Sequence, residues 1–273
     1  MIQVKKLDGT LQEYDEDKLR RSLKDAGAKD HEIEKVLDKV DKILFDGIET
    51  KKLFKFVLRE YRKLEPYKSS VYNLKNGLLR LGKGGFAFEE FVAKIFKEKG
   101  YKVVQNQEVK GKYIYHEIDI VAQRDNNKMM IECKHRIKPW LGINIKTALY
   151  VYARFLDVKS SINIPCLATN AKFSKQVLKY SKGVGLRLMG WKYPKNDSLE
   201  YNIEKYKLYP VTMLSSVNTK FLPQFLRHKI LLVKEIADMS EEDIQKVLGV
   251  KGNVAGEILK EARALCKNNS VEV

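Results

Sequence analysis

Two stretches decide the fold of the central part of the chain: Glu117-Ile118-Asp119-Ile120-Val121-Ala122 and Met129-Met130-Ile131-Glu132-Cys133-Lys134. Both are strongly apolar. The polar segment Asp125-Asn126-Asn127-Lys128 separates them and is typical of a tight turn. Two apolar segments joined in this way predict a pair of neighbouring strands in the interior of a sheet.

Charged side chains interrupt these apolar strands. Side chains alternate between the two faces of a strand, so Glu132 and Lys134 share one face and Cys133 lies on the other. Asp119 likewise lies on the face opposite to that of its two isoleucine neighbours. Pairing of the strands can therefore bring Asp119, Glu132 and Lys134 into one cluster.

Such a cluster is chemically informative because burying charge is costly without a compensating task. Two carboxylates offer the hard oxygen ligands that Mg²⁺ prefers. The metal would neutralise charge on a scissile phosphate and lower the pKa of a bound water, which a neighbouring lysine can orient or deprotonate. The alternative is a surface hairpin with an ordinary Glu–Lys pair, which contributes little.

The pattern of Asp119 followed, after a short hairpin, by Glu132-Cys133-Lys134 resembles the PD-(D/E)XK nuclease motif. Its surroundings are similar to the Mrr-like, type IV restriction endonuclease group over residues 85 to 191, in the family's order. The similar segments are Gly85-Phe86-Ala87-Phe88-Glu89, Lys99-Gly100-Tyr101-Lys102-Val103, Ala168-Thr169-Asn170-Ala171-Lys172-Phe173-Ser174 and Gly185-Leu186-Arg187-Leu188-Met189-Gly190-Trp191.

This resemblance implies Mg²⁺- or Mn²⁺-dependent hydrolysis of phosphodiester bonds in DNA. Asp119 and Glu132 would hold the metal and the Cys133 carbonyl would add a ligand, while Lys134 would handle the attacking water. Two positions depart from the common pattern: Ile118 replaces a proline, and Glu132 stands where many Mrr-like proteins have glutamine. Neither departure implies an inactive enzyme.

The helix expected over Phe86 to Lys99 contributes one more candidate. Its apolar stripe places Glu89 at the edge of the buried face and Glu90 nearly opposite, facing water. The family's helix glutamate also maps to Glu89, which implies an assisting catalytic role. The alternative is an ordinary first-turn acid that the helix dipole favours.

The remaining elements expected in this region alternate between strands and helices, which indicates an α/β layer arrangement. We expect strands at Tyr101–Val104, Tyr113–Ala122, Met129–Lys134, Ile164–Thr169 and Gly185–Trp191, and helices at Ile145–Phe155 and Phe173–Ser181.

The first 82 residues predict a short hairpin, with its turn at Asp8-Gly9, and a small helical bundle. Asp15 is suited to cap the first helix and Thr50 the third, and one helix is expected after Pro66. The segment resembles an ATP-cone, the regulatory nucleotide-binding module of ribonucleotide reductases. The resemblance implies ATP or dATP as an effector and makes nucleotide-site candidates of Val4, Lys6, Asp15, Lys18, Leu19 and Thr50.

One position weakens this resemblance, because Leu7 stands where the family usually has arginine, so that one phosphate contact is missing. Lys6 and Lys18 remain as point charges for phosphates. The alternatives are simple: Lys18 is a solvated helix lysine, and Asp15 and Thr50 are only caps.

After about Pro210 the chain predicts helices, including Leu231–Ala237, Ile244–Leu248 and Val254–Leu265. The last two are joined by Gly249-Val250-Lys251-Gly252-Asn253, which looks like a helix-hairpin-helix. Such a turn points backbone N–H groups at a DNA phosphate. Gly249, Lys251, Gly252 and Asn253 are therefore DNA-binding candidates, and a plain helical hairpin or a protein-binding module is the alternative.

Composition agrees with a nucleic-acid partner, because 52 lysines and arginines against 35 acids give a formal net charge of +17. No apolar run approaches the roughly 20 residues of a membrane-spanning helix. The start does not predict a signal peptide. Three scattered cysteines, Cys133, Cys166 and Cys266, fit a reduced cytoplasm and argue against disulfides or structural zinc.

Together these observations predict a multidomain α and α/β chain. Its parts are a helical ATP-cone with an N-terminal hairpin (1–82), a restriction-endonuclease-like α/β core with a mixed central sheet (83–209) and a small helical C-terminal DNA-binding domain (210–273). The rival functions are a non-catalytic, nucleotide-responsive DNA-binding protein on a nuclease scaffold and a small-molecule enzyme using the same carboxylates. The sequence leaves open whether the chain forms a homodimer.

Overall fold

The computed structural model describes residues 2–66, 68–81, 86–250 and 252–267. The chain divides into two compact units: Met1–Gly77 together with Pro210–Val273, and Leu78–Tyr209. The helical tail therefore belongs to the same unit as the N-terminal helices, and within that unit the Thr212 hydroxyl donates a hydrogen bond of 2.6 Å to the Gly77 carbonyl. The three-domain boundaries stay a prediction from sequence.

The N-terminal hairpin pairs with a third short strand that the sequence did not predict. Strands β1 (Gln3–Lys5) and β2 (Leu11–Glu13) are antiparallel, and β3 (Ile48–Glu49) lies parallel to β1 on its other side. The helices are α1 (Glu16–Asp25), α2 (Asp30–Asp41), α3 (Thr50–Leu64), α4 (Lys68–Tyr72) and α5 (Leu74–Leu81). The single helix expected after Pro66 is thus two, α4 and α5.

Local chemistry explains where these helices begin. Asp15 caps α1 as predicted, since its carboxylate accepts a 2.8 Å hydrogen bond from the Lys18 N–H. Thr50 does not cap α3 but is its first residue, because the extended β3 continues to Glu49, which takes the cap position without a side-chain hydrogen bond.

The bundle buries an apolar core that includes Leu23, Val36 and Val57. It also buries two glutamates, Glu32 and Glu60, and Glu60, which is 3% exposed, is surrounded by cations. Its ion-pair partners are Lys63 at 2.8 Å, Lys39 at 2.9 Å and Arg59 at 3.0 Å. Hydrogen bonds from Lys63 first and Lys39 next lower the pKa of Glu60 to about 2.

The second unit is built on a mixed five-stranded sheet, as predicted. The strand order is β4-β5-β6-β7-β8, with antiparallel β4-β5-β6 and parallel β6-β7-β8. Its elements are α6 (Phe86–Glu98), β4 (Lys102–Lys110), β5 (Tyr115–Arg124), β6 (Asn127–Lys134), α7 (Ile145–Val158), β7 (Ile164–Thr169), α8 (Lys175–Val184), β8 (Arg187–Met189) and α9 (Leu199–Lys205). β4 extends six residues beyond its predicted end. The prediction stopped early because the second half of this edge strand is polar, which is also typical of a loop.

Helices cover both faces of this sheet. On one face Val121, Met130 and Leu167 pack into a core with the apolar residues of α7 and α8. On the other face Met129 and Cys166 line a cavity together with Phe96 of α6. The central strand β6 is consequently buried on both sides, which explains its continuous apolar sequence.

The tail is helical, as expected. Its helices are α10 (Leu222–Arg227), α11 (Val233–Ala237), α12 (Glu241–Leu248) and α13 (Val254–Lys267). Helix α13 buries Ala255, Ile258, Leu259 and Ala262 at helical spacing. Within the described ranges, no helix is both long and apolar enough to cross a membrane.

Candidate active site

The two carboxylates of the motif meet where β5 and β6 separate. The regular pairing of these strands ends at Ile120 opposite Ile131, so that Asp119 and Glu132 are the next residues facing each other. The Asp119 Oδ2 atom accepts a 2.7 Å hydrogen bond from the Cys133 N–H in place of a backbone partner. Directly opposed residues point to the same face of a sheet, so the two carboxylates face the same space.

The electrostatics of this cluster follow from burial and like charge. Glu132 is buried, and burial followed by the negative charge of Asp119 raises its pKa to about 7. Burial also raises the pKa of the half-buried Asp119. Glu89, in the first turn of α6, has a raised pKa because of burial and then the charges of Asp119 and Glu117. The structure thus brings Glu89 into the electrostatic reach of the cluster, and its catalytic role stays a prediction.

Glu90 is a correction to the sequence prediction, because it is 8% exposed and does not face water. Helix α6 buries eight of its 13 residues. Its buried arc is therefore wider than the narrow apolar stripe on which the prediction depended.

Arg154 of α7 is a site residue that sequence reasoning missed. Its Nη1 donates to Glu132 Oε2, its Nη2 donates to the Glu117 carbonyl, and its guanidinium carbon lies 5.3 Å from the centre of the Tyr150 ring. Helical spacing could have identified it, because Arg154 follows the buried Val151 by three residues and precedes the buried Val158 by four, which puts it on the buried side of α7. A charge on the buried face of a helix requires a partner.

Two further missed residues hold the backbone after the motif. The buried Thr169 hydroxyl donates a 2.6 Å hydrogen bond to the Lys134 carbonyl. The buried Asn170 amide binds both backbone groups of Arg136, accepting from its N–H at 2.7 Å and donating to its carbonyl at 2.9 Å. The Lys134 side chain is exposed, and the Arg136 Nε is buried with no hydrogen-bond partner among the described residues. Both cations are therefore carried on an anchored segment, and Lys134 lies within electrostatic reach of Asp119 and Glu132.

The donor set suits a hard divalent cation. Among the described residues no three His, Cys, Asp or Glu side chains converge into a metal-binding group. Mg²⁺ is nevertheless commonly held by one or two carboxylates with other oxygen ligands. Cys133 can offer only its carbonyl oxygen, since its N–H is donated to Asp119 and its buried thiol has a pKa raised by desolvation. Two carboxylates and a carbonyl fit Mg²⁺ or Mn²⁺ and do not favour zinc.

A second group of predicted residues surrounds a cavity of about 350 Å³ in the N-terminal unit, which we name the cone cavity. All six nucleotide-site candidates line it: Val4, Lys6, Asp15, Lys18, Leu19 and Thr50. Phe54 and Tyr72 form a stacked pair at 5.1 Å in its wall. Leu7 is 56% exposed and is not among the lining residues.

At the tail hairpin, two glycines adopt left-handed backbone angles, and a carboxylate lies beside the start of α13. Gly249 ends α12 with φ of 64° and Gly252 has φ of 84°, in the left-handed region that favours glycine. Asn253 is exposed, and Lys251 lies outside the described residues. The Glu241 carboxylate lies so close to Gly256, in the first turn of α13, that an added Cβ there would be 3.3 Å from its oxygens.

Three family models match the chain in succession. An ATP cone domain matches residues 2–70, a restriction endonuclease domain of the Mrr catalytic type matches residues 83–191, and a domain described as AF1548-like, C-terminal, matches residues 209–266. The chain thus has an N-terminal region that matches the ATP cone domain and a central restriction-endonuclease-like domain. The resemblances to the ATP-cone and to the Mrr-like restriction endonucleases are confirmed, and the helix-hairpin-helix resemblance stays a prediction.

Two comparisons that cover about two thirds of the chain show its family. An uncharacterized protein of Archaeoglobus fulgidus is 36% identical over 174 residues, which are 63% of this chain and 98% of that protein. The crystal structure of the protein of unknown function AF1548 superposes with a TM-score of 0.58 at 34% identity, covering 66% of this chain and 97% of that one. The chain belongs to the family of the Archaeoglobus fulgidus protein.

The MspJI restriction endonuclease, solved in complex with a 27-mer oligonucleotide, is a distant match. It is 12% identical with a TM-score of 0.34, covering 52% of this chain and 36% of that one. A similarity of this size carries no information about substrate.

Proposed function

We propose that this protein is a Mg²⁺-dependent DNA endonuclease whose activity responds to ATP or dATP bound in the cone cavity. The observation that carries the proposal is the meeting of Asp119 and Glu132 across the opening between β5 and β6, with Lys134 next on the same segment. The restriction-endonuclease-like domain supports the same reaction class.

Each residue of the site then has a role that follows from its position. Asp119 and Glu132 hold the cation, with the Cys133 carbonyl as a further ligand; when bound, the cation supplies Lewis-acid stabilisation of the phosphate charge. Lys134 orients the attacking water, whose oxygen bonds to phosphorus as the bond to the leaving strand oxygen breaks. The water gives up a proton to solvent, and the leaving oxygen takes one from solvent. Arg154 fixes the Glu132 carboxylate, and Glu89 adds negative charge at the edge of the site.

The distribution of charge supports DNA as the substrate. Between residues 83 and 209 the chain has 24 lysines and arginines against 12 aspartates and glutamates. Most of the formal net charge of +17 is therefore carried by the nuclease-like region. Such a surplus favours a polyanion, with an affinity that falls steeply as salt is added.

The test is cleavage of supercoiled plasmid, unmodified and methylated, with and without Mg²⁺. Asp119→Asn, Glu132→Gln and Lys134→Ala, made singly, are expected to reduce cleavage by about a thousandfold or more, because catalytic groups act as a unit. DNA binding measured in EDTA should remain. The exposed Glu108 and Lys110 of β4 provide matched controls, as Glu108→Gln and Lys110→Ala.

Two results would contradict the assignment. Cleavage at the wild-type rate by Lys134→Ala would show that the site lies elsewhere. DNA binding by wild-type protein without cleavage of any substrate would favour the rival, a non-catalytic DNA-binding protein. Circular dichroism of each variant excludes loss of activity through unfolding.

The nucleotide part of the proposal rests on the six predicted residues lining the cone cavity. We expect ATP or dATP to bind the full chain more weakly than it binds cones that retain the missing arginine. Lys6→Ala with Lys18→Ala should remove binding and leave basal cleavage unchanged, whereas Leu7→Arg should tighten it. Isothermal titration measures the nucleotide affinity of wild type and of each variant. Lys35→Ala with Lys42→Ala, at two exposed positions, is the control. No heat at millimolar nucleotide would leave the cone a structural module.

A further inference from the structure

A second cavity in the Leu78–Tyr209 unit lies between α6, α9 and the sheet, and we name it the α6–α9 cavity. Its volume is about 380 Å³, within the range of small-molecule sites. Its polar and aromatic lining residues include Lys99, Tyr101, Arg124, Arg187, Asn196, Asp197, Tyr201, Lys205 and Tyr206. None of them belongs to the carboxylate cluster.

The cavity is separated from that cluster by the sheet itself. Met129, which lines it, is an odd-numbered residue of β6 and lies on the face opposite to Glu132. Arg124 follows Asp119 on β5 by five residues, which is about 17 Å along the strand. A ligand in the α6–α9 cavity therefore binds independently of the catalytic carboxylates.

The charge of the cavity favours an anion. Lys99 is neutralised by its ion pair with Asp197, the one acidic residue of the lining. The remaining cations, Arg124, Arg187 and Lys205, have no carboxylate partner among the residues that the structure describes. Three unpaired cations around a concave site create a local positive potential.

The orientation of these cations is partly fixed. The Arg124 Nη1 donates a 2.8 Å hydrogen bond to the Lys99 carbonyl, and its guanidinium carbon lies 4.5 Å from the centre of the Tyr101 ring. A guanidinium held in this way presents its remaining N–H groups as a rigid fork, which matches the oxygens of a phosphate. The Lys205 ammonium lies 5.7 Å from the Tyr201 ring centre and 5.3 Å from that of Tyr206.

The rest of the lining suits a planar organic group beside the anion. Tyr201 is 38% exposed, so its ring is available for stacking, and the exposed Asn196 amide can both donate and accept hydrogen bonds. Phe96 and Met189 add apolar surface. Aromatic rings next to cations are the combination that binds bases and their phosphates. We propose that the α6–α9 cavity binds a nucleoside 5′-phosphate, either as a free nucleotide or at the end of a DNA strand.

The experiment uses the full chain carrying Lys6→Ala and Lys18→Ala, so that the cone cavity does not contribute. Isothermal titration in EDTA with dAMP measures the free nucleotide. Fluorescence anisotropy compares a single-stranded oligonucleotide carrying a 5′-phosphate with one carrying a 5′-hydroxyl. Arg187→Ala with Lys205→Ala is the test variant, and Lys175→Ala with Lys179→Ala on α8 removes the same charge from an exposed helix.

We expect the test variant to bind dAMP, or the 5′-phosphorylated strand, at least tenfold more weakly, and the α8 control to bind within twofold of its parent. Tyr201→Ala should weaken binding and Tyr201→Phe should preserve it, because only the ring is required for stacking. A preference for the 5′-phosphate over the 5′-hydroxyl identifies a strand end as the ligand, and dAMP binding without that preference identifies a free nucleotide.

The proposal is overturned if the parent protein binds neither dAMP at millimolar concentration nor the 5′-phosphate preferentially. It is also overturned if the test variant and the α8 control lose affinity equally, which would indicate only a general charge effect. Neither result depends on cleavage, so failure here and failure of the nuclease proposal are distinguishable.

Discussion

Replacing Asn170 with alanine tests how the segment carrying Lys134 and Arg136 is held. The Asn170 amide makes two hydrogen bonds to the Arg136 backbone, at 2.7 and 2.9 Å, and is 4% exposed. Alanine would leave one N–H and one carbonyl without partners in a part-buried position. Asparagine to aspartate keeps the acceptor for the N–H but places an oxygen against the carbonyl.

The magnitude follows from the two lost bonds. An unsatisfied buried backbone group costs about 1–3 kcal/mol. Because these two bonds are only part-buried, we take about 1–2 kcal/mol for each, so we expect Asn170→Ala to lower the free energy of opening this segment by about 2–4 kcal/mol. With tenfold for each 1.4 kcal/mol, the open population rises roughly 30- to 700-fold. Asn170→Asp should retain the bond to the Arg136 N–H and lose the bond to its carbonyl, so this segment should open more often than in wild type. Because Arg136 loses its fixed position directly after the motif, we expect DNA cleavage to fall in both variants.

The assay is native-state hydrogen exchange of the Arg136 amide, which reports local opening and does not require the whole chain to unfold in one step. Asn163 provides a matched control at the other end of β7, because its amide accepts from the Lys128 N–H at 2.9 Å and donates to the Asn126 carbonyl at 2.8 Å. Asn163→Ala should accelerate exchange at Lys128 and leave Arg136 unchanged. Exchange of the Arg136 amide within threefold of wild type in Asn170→Ala would refute the reasoning.

Three more outcomes follow from named contacts. Arg154→Ala should raise the Mg²⁺ concentration needed for half-maximal plasmid cleavage, because Glu132 loses the contact that fixes it. Arg154→Lys should return this concentration only part of the way towards the wild-type value. The same Mg²⁺ dependence in Arg154→Ala and wild type would contradict this prediction. Glu60, whose pKa is lowered to about 2, should stabilise the N-terminal unit fully above its ordinary pKa of 4.5 and progressively less as the pH falls towards 2. In urea unfolding, Glu60→Gln should have a lower free energy of unfolding than wild type at pH 7, and the difference should disappear in acid. A difference that stays constant with pH would be inconsistent with this reasoning. Gly111→Ala should disturb the β4–β5 hairpin, because the added Cβ would meet the Asp157 carboxylate; an unchanged thermal midpoint would contradict this.

The nuclease-like sheet could be predicted because its signals are local. Alternation along β5 and β6 placed Asp119 and Glu132 on one face from six residues of each strand, and the structure has them opposed at the end of the ladder. The family resemblance supplied Glu89, which the helical periodicity alone placed only at an edge. Strand β7 was predicted at the residues where it lies, since a short buried run flanked by polar residues is a strong signal.

What the sequence could not predict depends on contacts between distant segments. Arg154 reaches Glu132 from 22 residues away, and Asn170 reaches Arg136 from 34. Both are polar residues whose partners are chosen by the packing of α7 and β7 against β6, which no local pattern records. Strand β3 was missed for the same reason, because two residues become a strand only by pairing with β1.

The charge of each segment bears on which part of the chain would contact DNA under the proposed function. After residue 209 the tail has nine lysines and arginines against eight acids, whereas residues 83–209 have twice as many basic residues as acidic ones. At the tail hairpin, Glu241 already places a carboxylate beside the first turn of α13, where the helix dipole would otherwise attract a phosphate. A phosphate approaching Gly252 and Asn253 would therefore meet a negative charge. The nuclease-like region has the larger basic surplus, so we expect it to supply most of the salt-dependent affinity for DNA.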